Sequence, residues 1–507
     1  MIISGERTIS YSEIQSRVRK AMTGLTMAGI LDGAPVALML RNDFAFFEAS
    51  SAASALGSPV VPINWHLKAE EVAYILQDSG AKVLICHADL LPRIKQGLPE
   101  DIDLFVVATP PEIMSAFEID EALARVPAGS EDWDTWRDSQ EPSPPSFLRV
   151  SPMYYTSGTT GAPKGVLRRP LEPAQISGSE QVGAIVYGIK PNEDQIVLIN
   201  GPMYHSAPNS YGMLAFRQRC TMVLQPRFDP EELLALVERH RLTHMHMVPT
   251  MFVRLLRLPD AVRNRYDLSS LRFVVHGAAP CPPEIKRKMI EWWGPVVHEY
   301  FGATEVGVPV WHSADEALRK PGTVGRPIEG GVVKIYRPDG SLCGVNEPGE
   351  IFMRQTKMPD FDYHGNAEAR AEAGRDGLIS VGDVGYLDED GYLFLCDRKR
   401  DMVISGGVNI YPAEIEGSLI AMPGVRDCAV FGIPDEEYGE RLCAYVELEP
   451  GAGLSADDVR KFLRNHIANF KIPQVIEFAD SLPREATGKI FKRKLRDPYW
   501  QNQRREN

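Results

Sequence analysis

The chain has 507 residues, 44% hydrophobic and 24% charged, with a formal net charge of −13 at pH 7. That length implies two or more domains with sizeable cores, and the negative balance argues against a general binder of nucleic acid or anionic membrane. Seven cysteines without a tight CxxC pair make metal clusters and disulfide frameworks poor readings and point to a reducing, cytoplasmic setting, as do an N-terminus too polar for a signal peptide and the absence of any apolar run near the roughly 18 residues of a membrane helix.

Ser10-x-x-Glu13 is a capping box, followed at helical spacing by Ile14, Val18, Met22 and Leu25 up to Gly29, which predicts a helix over 10–30. A strand at 35–40, a helix at 42–56, a strand at 59–63, a helix at 68–78 stopped near Gly80, and strands at 82–86 and 102–108 continue the alternation. It predicts layered α/β structure with a mainly parallel sheet. From 126 to 152 the pattern dissolves into Pro, Ser, Asp and Glu, which reads as an exposed linker ending on a strand at 153–155. Further strands are expected at 195–200 and 272–276, and helices starting at Asp229-Pro230 and spanning 283–293. From about 322 the texture turns to β, with Asp-Gly pairs at 339–340, 376–377 and 390–391. Beyond Arg398 a compact α+β unit follows, with helices at 412–420 and 455–466 and strands at 427–432 and 442–447.

One stretch has the composition of a phosphate cradle. From Thr156 through Ser157, Gly158, Thr159, Thr160 and Gly161 to Lys164 and Gly165, bulky side chains are absent apart from Pro163. Backbone N–H groups and hydroxyls can therefore crowd an anion, and Lys164 adds positive charge. A P-loop needs Gly before its Lys and Ser or Thr after it; Pro163 and Gly165 stand there instead, so the kinase and GTPase reading fails on spacing. Other segments carry polar groups that a core does not need: Gly277-Ala278-Ala279, the run Glu299-Tyr300-Phe301-Gly302-Ala303-Thr304-Glu305, Asp383, Arg398, and Lys489 on a Gly-flanked turn.

These separated motifs resemble, in order and rough spacing, the core motifs of the adenylate-forming enzymes over essentially the full chain. The chain looks most like the acyl-CoA synthetase branch, which includes fatty-acid and 4-coumarate–CoA ligases. The resemblance implies a large N-terminal domain over 1–399, made of layered α/β sheets and a β-rich subdomain. It also implies a small mobile α+β domain over 400–507, hinged at Arg400. The implied reaction is ATP-dependent ligation of a carboxylic acid to CoA through an acyl-adenylate, releasing AMP and pyrophosphate. Carried over, residues 156–164 bind the β- and γ-phosphates of ATP. Gly277–Ala279 and the 299–302 segment enclose adenine. Thr304 contacts the α-phosphate, and Glu305 with Thr160 holds Mg²⁺. Asp383 and Arg398 bind ribose, and Lys489 bridges the carboxylate and the α-phosphate. Ser405, Gly406, Gly407 and Asn409 line the CoA tunnel, where missing side chains leave room for a thiol arm. His205 lies at the mouth of the acyl pocket.

The pocket residues expected from the same resemblance, including Ala207, Met213, Val275, Val306 and Val308, are mostly apolar. They favour a medium- or long-chain or bulky acid, with a hydroxycinnamate such as ferulate as the alternative. An amino-acid-activating domain fits less well, because Tyr204–Ala207 offers no Asp for an ammonium group. A luciferase-type oxygenase shares the scaffold, and a non-catalytic nucleotide- or CoA-binding protein is the alternative from another class. Composition leaves a homodimer open.

Overall fold

A computed structural model of the chain describes every residue except 31, 32, 147, 157–162, 171, 172, 192, 400, 406, 407, 485–489 and 504–507. The side chains of 173, 174, 409 and 501–503 also lie outside the description.

The first helix, Tyr11–Met27, is capped as its sequence dictates: the Ser10 hydroxyl accepts from the Glu13 amide at 3.1 Å. It packs against the helices Phe44–Ala55 and Trp133–Asp138, which flank a five-stranded parallel sheet ordered Val60–Pro62, Val36–Met39, Val83–His87, Asp103–Val107, Glu131–Asp132. The central strands Val36–Met39 and Val83–His87 are buried throughout, as continuous apolar runs between helical layers must be.

The expected linker over 126–152 is corrected here. Glu131–Asp132 is the edge strand of this sheet, and Trp133–Asp138 is a helix capped by the Asp132 carboxylate. Trp133 is fully buried and Trp136 lies 4.1 Å from Phe105, ring to ring. The Arg137 guanidinium, also buried, donates to Glu48 at 2.6 Å. Prolines and acidic residues on the outer side masked an aromatic face that anchors the segment to the core. The open texture expected there holds for 126–130 before the edge strand and for the described residues between the helix and 153.

The second sheet starts at the edge with the hairpin Arg7–Ile9/Ile2–Ser4, whose strand Ile2–Ser4 is followed by parallel strands in the order Thr221–Leu224, Ile196–Ile199, His244–Met247, Phe273–His276 and Val297–Ala303. At Val297–Ala303 the chain turns back on itself. Gly307–His312, Thr323–Pro327, Leu393–Arg398, Leu378–Leu387, Gly349–Gln355 and Gly331–Tyr336 then continue the same sheet in antiparallel order. The glycines of the three Asp-Gly pairs, 340, 377 and 391, all take positive φ, which explains why these turns need Gly. From 403 onward a separate sheet forms from Val403–Ser405, Val408–Ile410, Gly439–Leu448, Val425–Asp435 and Val475–Phe478. It has its own core around Ile415, Leu419, Val430, Val446 and Leu463.

Two helices that the sequence reading did not place, Pro173–Tyr187 and Ser206–Arg217, stand side by side over the parallel strands. Gly183 is why they approach so closely: a Cβ there would sit 2.7 Å from Leu214 Cδ2.

Candidate active site

The site lies beyond the carboxyl ends of the parallel strands, where open α/β sheets leave a crevice. Thr156 and Lys164 are the last register pair of the hairpin Tyr154–Thr156/Lys164–Arg168 and so form the neck of the Gly-rich loop. The loop itself, with Ser157, Gly158, Thr159, Thr160 and Gly161, lies outside the described residues. A third strand, Phe361–Tyr363, pairs with Lys164–Arg168 and sets the Tyr363 ring 5.5 Å from the Lys164 ammonium. The Tyr363 hydroxyl donates to Glu305 Oε1 at 3.2 Å. Burial pushes the Glu305 pKa up, against the opposing pull of the Tyr363 hydroxyl and Arg168.

Thr304 and Glu305 occupy the turn between Val297–Ala303 and Gly307–His312. The turn is tight because Gly302 has no side chain: a Cβ there would fall 2.1 Å from the Gly307 carbonyl oxygen. Arg168 holds the turn from below, donating to the Thr304 carbonyl at 2.6 Å and the Pro359 carbonyl at 2.8 Å. Burial lowers its pKa to about 10, with Glu305 opposing, so it stays cationic at neutral pH. The Thr304 hydroxyl lies 2.9 Å from that of Ser206, the first residue of the helix Ser206–Arg217.

Gly277, Ala278 and Ala279 follow the strand Phe273–His276. A Cβ on Gly277 would sit 2.6 Å from the Tyr300 ring, so only Gly lets that ring lie flat over the turn. Ala278 has φ of 66°, a left-handed conformation that costs a non-glycine residue roughly 1 kcal/mol. The Tyr300 hydroxyl is fixed by His246 Nε2 at 2.9 Å. Glu299 differs from its neighbours. Its carboxylate is ion-paired to Lys286 and lies 2.8 Å from His312 Nε2, with all three residues buried. Burial opposes its ionisation, but Lys286 and the two neighbouring histidines outweigh that and hold its pKa below the carboxylate range.

Asp383 and Arg398 pair across adjacent strands, Nε to Oδ1 at 2.7 Å. A cavity of about 1590 Å³ is lined by Thr156, Lys164, Ser206, Thr304, Glu305 and Arg398. Through Ala278, Tyr300, Gly302 and Arg398 it meets a second cleft that takes in Ala279, Phe301 and Asp383 and is closed by Tyr411 and Lys492 of the C-terminal unit.

The other expected site residues are not gathered there. His205 is absent from the lining; its ring packs 4.3 Å from that of Tyr204, and burial takes its pKa down to about 4, His66 adding to the effect. Of the expected acyl-pocket residues, Ala207, Met213 and Val308 line the cavity, whereas Val275 and Val306 are core residues. Ser405 ends the strand Val403–Ser405 and lines neither space. The main chain of Asn409 pairs with Ile404, and its side chain is outside the description, as are Arg400, Gly406, Gly407 and Lys489. Conversely, the sequence reading did not single out Arg168, Tyr363 or Ser206. Arg168 lies two residues beyond buried Val166 on one strand, the only local hint of an inward cation. Tyr363, some 200 residues after Lys164, carries none.

Glu305, with threonine hydroxyls and the phosphate oxygens of a bound nucleotide, would make an all-oxygen donor set suited to a hard cation such as Mg²⁺, which keeps much of its own water. Among the described residues no group of three or more His, Cys, Asp or Glu forms a protein-only metal cage. No helix among them is long and apolar enough to cross a membrane.

The family model described as AMP-binding enzyme matches residues 1–358, and that of the AMP-binding enzyme C-terminal domain matches 414–489. A feruloyl-CoA synthase from an Amycolatopsis species is 34% identical over 97% of this chain and 94% of its own length. The long-chain-fatty-acid–CoA ligase FadD13 of Mycobacterium tuberculosis is 31% identical over 97% and 93%. Among solved structures, o-succinylbenzoate CoA synthetase (MenE) from Bacillus subtilis, bound to the acyl-adenylate OSB-AMP, superposes with a TM-score of 0.79 at 28% identity. That match covers 97% of this chain and 94% of the other.

Proposed function

The chain belongs to the AMP-binding enzyme family as an AMP-forming acyl-CoA synthetase using ATP, CoA and a carboxylic acid, and from that premise we propose how its residues divide the work. The observation that carries the assignment is the convergence of Thr156, Lys164, Ser206, Thr304 and Glu305, drawn from three distant segments, on one cavity.

In the first half-reaction the acid's carboxylate oxygen attacks the α-phosphorus of ATP, and the bond to pyrophosphate breaks. Anion approaches anion, so positive groups must be in place beforehand. Lys164 and the 156–161 loop hold the departing β- and γ-phosphates. The Thr304 hydroxyl, oriented by Ser206, meets the α-phosphate, and Lys489 bridges it to the carboxylate. No general base is required, because a carboxylic acid is already ionised at neutral pH. Glu305, with Thr160, holds Mg²⁺, which when bound neutralises charge on the phosphate oxygens. Arg168 acts as a positioning residue by fixing the Thr304 carbonyl.

Adenine sits between the Gly277–Ala279 turn and the Tyr300–Gly302 segment, and Asp383 with Arg398 takes the ribose hydroxyls. Glu299 contributes from beneath, anchoring the strand that carries Tyr300. In the second half-reaction the CoA thiol attacks the acyl carbonyl, the bond to AMP breaks, and the thiol proton leaves to solvent. For this step we assign the domains as 1–399 and 400–507, turning about Arg400. The turn brings Ser405, Gly406, Gly407 and Asn409 to the pantetheine arm. We place the enzyme in the cytoplasm, in keeping with seven unpaired cysteines.

The acid is a medium- or long-chain or bulky one. The apolar lining by Ala207, Met213 and Val308 supports that reading, and a hydroxycinnamate is the alternative. The test is a panel of carboxylic acids scored by pyrophosphate release with and without CoA. Release with thioester formation for an acid of this class is expected. Release that ignores CoA and yields no thioester would contradict the assignment.

A further inference from the structure

The chain leaves its N-terminal unit at a defined point. Strand pairing sets Asp397 opposite Val384 and Arg398 opposite Asp383, and the Lys399 amide donates to the Gly382 carbonyl at 2.8 Å. The sheet of the C-terminal unit starts at Val403. Side chains up to 399 therefore belong with the first unit, and those from 403 onward with the second.

Asp397 reaches across that boundary. Its Oδ2 accepts from the Ala413 amide at 2.8 Å, and its Oδ1 accepts from the Arg398 amide at 2.7 Å. Ala413 is the second residue of the helix Pro412–Ile420, the first helix of the C-terminal unit. That helix has no cap of its own: Tyr411 at the N-cap position makes no side-chain cap bond, and Pro412 has no N–H to offer. A carboxylate from the other unit fills the place, where free amides and the helix dipole favour negative charge. The later helix Ala456–Arg464, by contrast, is capped from within its own unit by Ser455. Burial pushes the Asp397 pKa up, while the two amides and Lys492, itself paired to Glu416 at 2.8 Å, pull the other way. Hydration regained on leaving the contact offsets much of what the contact supplies. It is a bond that can be broken in turnover.

In this arrangement Tyr411 and Lys492 close the cleft that takes in Asp383, Arg398 and Ala279, whereas Ser405 lines neither space. That suits the first half-reaction rather than the second. We propose that Asp397 is a positioning residue whose carboxylate, lent as a helix cap across the hinge, latches the C-terminal unit in the orientation for adenylate formation and lets go of Ala413 before thioester formation. The proposal rests on the two-orientation ligase reading and names what holds the first orientation. Arg257 adds a weaker contact across the same boundary, donating to the Arg426 carbonyl at 2.7 Å and lying 3.3 Å from Glu449, all exposed to solvent.

The experiment separates the half-reactions, with dodecanoate and ferulate as acids and their synthetic adenylates. ATP–pyrophosphate exchange reads the first, and thioester formation from adenylate and CoA reads the second. Tryptic cleavage at the basic run 398–400, without substrates, reads the latch apart from the chemistry. Asp397→Ala should slow exchange roughly threefold to thirtyfold, the range for losing a helix cap. Thioester formation from the adenylate should be unchanged or faster, and cleavage faster. Asp397→Asn keeps an acceptor for Ala413 and should restore most of the exchange. Ser455→Ala, which removes a cap inside the C-terminal unit, should leave the ratio of the half-reactions unmoved. Equal loss in both half-reactions of Asp397→Ala, no loss in exchange, or an unmoved tryptic rate would each overturn the latch. So would Ser455→Ala splitting the half-reactions as strongly, or Asp397→Asn exchanging as slowly as Asp397→Ala. Lys489→Ala judges the two-orientation reading by itself. If it too fails to slow exchange selectively, that reading falls; if it succeeds where Asp397→Ala does not, the latch alone falls. A wild type inactive with both acids in both half-reactions would contradict the ligase reading, and the tryptic rates would still judge Asp397.

Discussion

Arg398 donates from Nε to the Asp383 carboxylate at 2.7 Å, and the two residues are register partners on neighbouring antiparallel strands. Their strands belong to the same sheet as Val297–Ala303 and Gly307–His312, which flank the turn that carries Thr304, so the pair is fixed relative to the phosphate site by backbone pairing. Asp383→Ala removes an acceptor for ribose hydroxyls and leaves Arg398 without its counter-ion. The expected outcome is a KM for ATP raised about tenfold to a hundredfold, with the KM for the acid nearly unchanged, measured by initial rates at saturating CoA.

Glu305 should give the pH profile an unusual acid limb. Its pKa is raised by burial, so the carboxylate is lost on acidification at a higher pH than for an ordinary glutamate, and ATP use should fall there. The sign for stability is opposite. A folded-state pKa above the unfolded one favours the protonated folded protein, so this contribution is full below the unfolded pKa and lost as pH rises through the folded value. Glu305→Gln is therefore expected to raise Tm at neutral pH while cutting kcat/KM for ATP by about a hundredfold or more, and to flatten the acid limb. Calorimetry and rate profiles across pH check both.

Gly277→Ala should act through Tyr300. The new methyl would fall 2.6 Å from the ring, whose hydroxyl is held by His246. Displacing it costs about 1–3 kcal/mol of stability and spoils the aromatic wall for adenine. Lower Tm together with a raised KM for ATP is the expected pair of results in denaturation and kinetics.

Lys286→Met tests the buried cluster beneath the site. It leaves the Glu299 carboxylate among histidines without its main counter-ion, and stranding one partner of a buried pair costs about 3–5 kcal/mol. A fall in unfolding free energy of that size is expected from urea titration, larger than that from any exposed ion pair such as Arg287–Glu291.

Much of this was legible in the sequence, for local reasons. The caps at Ser10 and Asp229 and the helices 283–293 and 412–420 follow from residues that act within a turn or two of themselves. Asp383, Arg398 and Glu305 stand out only as polar residues in their segments, their expected roles come from the family resemblance, and the Gly-rich loop itself lies outside the described residues. What escaped depended on contacts made across the chain. Trp133-x-x-Trp136 looked like part of a linker because its partner Phe105 lies in another strand. The helix Pro173–Tyr187 was missed because Gly178 and Gly183 weaken its pattern, and Gly183 is there to let Leu214 come close. Tyr363 and Arg168 meet Glu305 and Thr304 only through sheet pairing.

The central claim is that the acid's own oxygen attacks the α-phosphorus and departs with AMP. It is tested most directly by supplying an acid labelled with heavy oxygen in both carboxylate positions, with ATP and CoA, and weighing the nucleotide product. The account predicts AMP carrying one heavy oxygen per turnover, in step with thioester formed. Unlabelled AMP, or ADP with labelled inorganic phosphate, would contradict it.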